Sequence, residues 1–116
     1  MSNFGYKPGS GPPYREKRSV PRYSLIATVD IVEPVSDMHL SGRVSEISRK
    51  GCYLDILNTL PVGTKIHLTV SRDQGTFATP GRIIYVQEGM GMGVAFGETA
   101  ADQLQVLDLW LIELQG

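Results

Sequence analysis

From Ser24 onward the chain alternates apolar and polar positions. Leu25, Ala27, Val29 and Ile31 interleave with Ile26, Thr28, Asp30 and Val32, the period-2 pattern of a strand with one face on a core. Pro34 to His39 predicts a turn, and residues 41–48 and Gly51 to Leu57 predict a second and a third short strand. Leu60-Pro61-Val62-Gly63 then turns the chain into Lys65–Val70, where Ile66, Leu68 and Val70 share a face. Arg72-Asp73-Gln74-Gly75 predicts a hairpin turn, with Asp73 and Gly75 supplying the turn chemistry. Phe77 to Val86 predicts a fifth strand, in which Pro80-Gly81 marks an edge or a bulge. Glu88-Gly89-Met90-Gly91 leads into a sixth, Met92 to Phe96.

The last segment changes period. Leu104, Leu107, Leu111 and Leu114 recur at helical spacing with Trp110 beside them. Thr99 is read as the N-cap, with Asp102 three residues on, close to a capping box. Six short strands and one closing helix predict a mainly β fold: a six-stranded antiparallel β-barrel plugged by a C-terminal α-helix. Closing the barrel also removes the exposed edges that such short strands would otherwise present. Residues 1–14, rich in Gly, Pro and Ser, are expected to be a flexible N-terminal tail, and residues 15–116 the barrel domain.

Composition narrows the function classes. A chain of 116 residues, 41% hydrophobic and 20% charged, fits one domain with one modest core. Its apolar runs are only a few residues long, so no membrane insertion is expected. No secretory signal is visible. The single cysteine, Cys52, forms no internal disulfide and fits a reducing, cytoplasmic setting. It is read as a small buried strand residue. Cys52, His39 and His67 lack ligand-like spacing, so no metal is expected. No nucleophile–base pair or acid dyad stands out, which argues against an enzyme and leaves no catalytic residue to name.

The net charge of −1 is unevenly distributed. Residues 1–22 carry Lys7, Arg15, Lys17, Arg18 and Arg22 against the single acid Glu16, so the remainder is net acidic. A basic arm on an acidic body is either a solvated tail or an address for something anionic. Arg18-Ser19-Val20-Pro21-Arg22 places two guanidinium forks four residues apart at the junction with the first strand, stiffened by Pro21. Such forks grip phosphates bidentately and lie flat against purine rings. Glu46-Ile47-Ser48-Arg49-Lys50-Gly51 is the second constellation. Strand alternation puts Glu46 and Ser48 on one face and Ile47 on the other. A carboxylate and a hydroxyl facing one way suit the donor edge of a guanine. The alternative is a strand end capped by local polar bonds and followed by a turn glycine. Met90-Gly91-Met92-Gly93 is glycine-rich but opens no helix, so it is not read as a phosphate loop.

Together, in this order and separation, the two constellations resemble the PilZ family, whose signature is RxxxR followed by [D/N]xSxxG on a six-stranded barrel closed by a helix. The resemblance covers about residues 15–114 and extends to Leu60–Lys65, Gly81–Val86 and Gly93–Phe96. It implies a bacterial cyclic di-GMP receptor in which Arg18 and Arg22 clamp the phosphates and stack on the bases. Ser48 and Glu46 would read a guanine edge, and Gly51 would leave room for the ring. Lys17 sits where some members have an extra arginine, Tyr85 where some carry an aromatic residue near the bases. Arg49 adds to the basic groups that would hold a dianionic ligand. Glu46 departs from the pattern: its extra methylene carries the carboxylate outward by roughly 1.5 Å.

The expected mechanism is an order–disorder switch, in which the basic arm folds over the bound dinucleotide and alters contact with a downstream protein or a second copy. The runner-up is a divergent PilZ-like adaptor that acts through protein contacts alone. A barrel binding single-stranded nucleic acid is a third class, disfavoured by the acidic body, so no nucleic acid polymer is expected as a partner.

Overall fold

The computed structural model describes residues 20–116. The tail expected over residues 1–14 and the basic positions Lys17 and Arg18 lie outside the described residues. Six strands, β1 (Arg22–Glu33), β2 (Met38–Ser48), β3 (Gly51–Asp55), β4 (Lys65–Arg72), β5 (Gly75–Gln87) and β6 (Gly91–Phe96), precede the helix α1 (Ala101–Gln115). They close a barrel in the order β1-β2-β3-β6-β5-β4, with every neighbouring pair antiparallel and β1 returning to β4. The sequence-based expectation of a helix-closed antiparallel barrel therefore holds.

Alternation drives the closure. Leu25, Ala27, Val29 and Ile31 from β1 meet Ile66, Leu68 and Val70 from β4 and Phe77 and Ile83 from β5 in a single interior. The outward partners in β4, Lys65 and His67, stay exposed. Helix α1 covers one end of that interior with Leu107, Trp110 and Leu111. Phe77 packs edge-on against both Phe96, with centroids 5.3 Å apart, and Trp110, at 6.3 Å. The Gln103 side chain accepts the Ala78 N–H at 2.7 Å, and Arg72 lies over the Trp110 ring while pairing with Glu113 at 2.7 Å. These contacts fix the helix to β4 and β5.

Two local expectations need correction. Thr99 is not the N-cap: Ala100 holds that position without a side-chain bond, and the Thr99 hydroxyl is paired with Thr79 Oγ1 instead, at 2.6 Å. Of the edge and the bulge expected at Pro80-Gly81 only the bulge falls, because the β4–β5 register runs through His67↔Pro80 and Ile66↔Gly81 without a shift. The Pro80 carbonyl accepts from Gly97 at 2.7 Å, just past the last β6 pair, Gly81↔Phe96. N–H and C=O of one strand residue point the same way, so the donor that proline lacks would face a position where β6 has already ended. In the hairpin turn it is Asp73, at φ 53, that takes the left-handed conformation and not Gly75.

The register does shift elsewhere, at three places: between Ser24 and Ala27 in β1, between Val44 and Glu46 in β2, and between Ile83 and Tyr85 in β5. All three lie toward one side of the barrel. There the site is found.

Candidate functional site

Strict alternation would send Glu46 inward behind Val44, and Tyr85 inward behind Ile83. The extra residues Ser45 and Ile84 prevent this, since a bulge inserts one residue and re-aims those that follow. Val44 and Ile47 both enter the core, leaving Glu46 on the outer surface, and Tyr85 stays outside while Ile83 is fully buried. A single row of paired positions then crosses the outer wall: Ser24, Glu46, Tyr53, Gly93 and Tyr85.

Over this row lies a cleft of about 240 Å³. Arg22, Glu46, Ser48, Gly51 and Tyr85, named from the sequence, all line it. Val20, on the chain leading into β1, lines it too. Arg22 pairs in register with Ser48, and its guanidinium meets Glu46 Oε1 at 3.2 Å. Both side chains keep more than a third of their exposure, 36% and 43%. An ion pair so open to water contributes at most about 1 kcal/mol. It can part for a better partner.

Ser48 is buried, and its hydroxyl works locally. It accepts the N–H groups of Lys50 at 3.1 Å and Gly51 at 3.2 Å and donates to the Gly51 carbonyl at 3.3 Å. This tight turn swings residues 49 and 50 apart. Lys50 lines the cleft, whereas Arg49 lies outside its lining and pairs with Asp108 of α1 at 2.9 Å. Gly51 permits a close approach of strands: a Cβ there would stand 2.2 Å from the Val94 carbonyl oxygen. Its lack of a side chain thus serves the β3–β6 seam that floors the cleft. Cys52, facing the core from the same strand, is buried, and loss of solvation pushes its thiol up to about 12.

Sequence reasoning missed Lys50, Ile84 and Tyr53 as lining residues. Tyr53 had a signal, because Cys52 and Leu54 flank it as core positions and alternation alone sends it outward. Its phenol is held above the ordinary tyrosine range by lost solvation and then by the charge of Asp55, and it donates to Gln87 Oε1. The cleft thus offers a guanidinium, an ammonium, a carboxylate and two phenol rings around one apolar floor. Such a set can hold an anion and a flat heterocycle at once.

Among solved structures, the PilZ domain of YcgR from Escherichia coli with c-di-GMP is similar at TM-score 0.72 and 15% identity, covering 85% of this chain and 92% of that one. The inhibitor of motility MotI/DgrA of Bacillus subtilis is similar at TM-score 0.71 and 17% identity, covering 84% of this chain, which spans 51% of that protein's length. The PilZ domain of CeSA from a cellulose-synthesizing bacterium gives TM-score 0.64 and 16% identity over 83% of this chain and 99% of that one. No curated protein sequence matches the chain. The model of the PilZ domain matches residues 16–113, nearly the whole barrel and its helix. With its strand order, its closing helix and this match in agreement, the chain belongs to the PilZ domain family.

Proposed function

We propose that this domain is a non-enzymatic receptor for cyclic di-GMP. One observation carries the reading: Arg22, Glu46 and Ser48, which come from two sequence motifs more than twenty residues apart, meet around one cleft floored by Gly51. The similarity to YcgR, whose structures contain c-di-GMP, supports the same reading. Arg22 exchanges its weak pairing with Glu46 for a bidentate bond to a ligand phosphate. Glu46, released, accepts from a guanine edge. Lys50 adds a second positive charge.

Arg18 lies four residues before Arg22, within about 13 Å along an extended chain. Because Val20 already lines the cleft, Lys17 and Arg18 have the reach to close over a bound dinucleotide. That closure changes the surface offered to a downstream protein or to a second copy. Among the described residues no helix is long and apolar enough to cross a membrane, and the reading places the receptor in the cytoplasm.

Calorimetric titration of cyclic di-GMP tests it. The wild type binds, Arg22→Ala and Arg18→Ala abolish the heat, and Glu46→Asp retains or strengthens it. A second reading, a PilZ adaptor working by protein contact alone, is favoured by the pairing of Arg22 with Glu46, which leaves each charge already partnered. Absence of heat and of any melting shift at high ligand concentration decides for the adaptor.

A further inference from the structure

The glycine-rich stretch at the start of β6 acquires a purpose in three dimensions. Gly91 and Gly93 are alternate residues of that strand, so they share the outward face. A Cβ on Gly93 would stand 2.5 Å from Tyr85 Cε2, and one on Gly91 would stand 2.2 Å from the Leu54 carbonyl oxygen as well as 2.7 Å from the Tyr53 hydroxyl and 2.9 Å from its Cε2. Tyr85 reaches in from β5 and Tyr53 from β3, and each ring rests on a bare patch of the strand between them. The centroids lie 5.9 Å apart with the planes inclined by 34°. Gln87 accepts the Tyr53 hydroxyl and holds that ring in place. The result is an aromatic floor two rings wide, half-buried, and open to the cleft on its upper side.

Cross-strand aromatic pairs stabilise sheets, but two rings laid on glycines and facing a cleft do more. We infer that Tyr53, its ring over Gly91 and beside Tyr85, is a further stacking residue for a guanine base of the ligand and widens the aromatic floor toward Glu46. This rests on the receptor reading and adds Tyr53 as a binding residue. Glu46 is the in-register neighbour of Tyr53 on β2, one strand spacing or about 4.8 Å away. A base resting on Tyr53 turns its N1–H and N2–H₂ edge toward that carboxylate. Here the longer reach of Glu46 has a use, because the acceptor must rise to the plane of a base lifted off the sheet by a ring.

Titration of cyclic di-GMP into wild type, Tyr53→Phe, Tyr53→Leu and Gly93→Ala tests the floor. Tyr53→Phe keeps the ring and binds within about twofold of wild type. Tyr53→Leu removes the stacking surface and weakens binding by about five- to 150-fold, the range measured for base–aromatic stacking. Gly93→Ala keeps both rings, pushes Tyr85 off its bed and weakens binding by a similar factor. A melting curve for each variant shows that it is folded, and the loss must appear in affinity at an unchanged fold. Wild-type affinity in Tyr53→Leu, whatever Gly93→Ala does, overturns the role of Tyr53 and leaves the receptor standing. A wild type that binds no cyclic di-GMP overturns the receptor reading first, and the floor with it.

Discussion

Two walls of this barrel are built by different rules. Strand β4 alternates exposed and buried positions and pairs with both β1 and β5 without a register shift. The opposite wall, where β2, β3, β6 and the end of β5 meet, breaks alternation at Ser45 and Ile84. The regular wall sends its large side chains inward and presents the cleft with nothing. The irregular wall turns a carboxylate and a phenol outward at positions where strict alternation would have buried them. Both walls feed the core, Leu68 and Val70 from the first and Leu54, Met92 and Val94 from the second, and they divide over the cleft, which β4 does not line.

The sharpest test of that division is Phe77→Ala. Phe77 is fully buried on the regular half of β5, against Phe96 and Trp110. Its truncation lowers unfolding free energy by about 3–5 kcal/mol in chemical denaturation, while protein that remains folded keeps its ligand affinity. Parallel loss of affinity in the folded fraction would break the division. Gly51→Ala comes next. Its new methyl group meets the Val94 carbonyl, a backbone atom that cannot step aside cheaply. A cost of about 1–3 kcal/mol is expected from such overpacking, with affinity falling too because the seam floors the cleft.

Cys52 gives a pH test on the core side of the same seam. Its folded pKa, about 12, stands above the ordinary 9.0 because burial disfavours the thiolate. The unfolded chain therefore releases this proton first. The contribution of Cys52 is complete below pH 9 and is lost progressively as pH rises from 9 toward 12. Denaturation midpoints for wild type and Cys52→Ala should converge over that window, and thiol labelling at pH 8 should be slow until denaturant is added. The smallest effect belongs to Arg49→Ala. Its ion pair with Asp108 is half-exposed, so stability changes by at most about 1 kcal/mol. Affinity for cyclic di-GMP should hold within about twofold. A large loss would return Arg49 to the ligand.

The same contrast explains what could be read from the chain. Ile66, Leu68 and Val70 declare their face by spacing alone, and the helix declares its own through Leu107, Trp110 and Leu111. Arg22, Glu46, Ser48 and Gly51 were legible as a set by their resemblance to a family pattern. Bulges carry no comparable signal. Ser45 and Ile84 are ordinary strand residues, and only pairing with a neighbouring strand makes either one supernumerary. Arg49 and Lys50 are adjacent cations whose different destinations depend on the turn fixed by the Ser48 hydroxyl. Gly91 and Gly93 read only as a turn end and a strand residue, and nothing in the spacing shows that rings from two other strands are laid across them.

The seam between β3 and β6 joins residues such as Cys52 and Val94, far apart in the chain. Ring closure between β1 and β4 is similarly non-local, as in Val29 with Val70. Contacts of this kind slow folding, since a long loop must be ordered before they form. A nascent chain has no floor to its cleft until β6 has emerged and docked beside β3. The cleft is therefore completed late in the life of each molecule, when almost the whole domain has been synthesised.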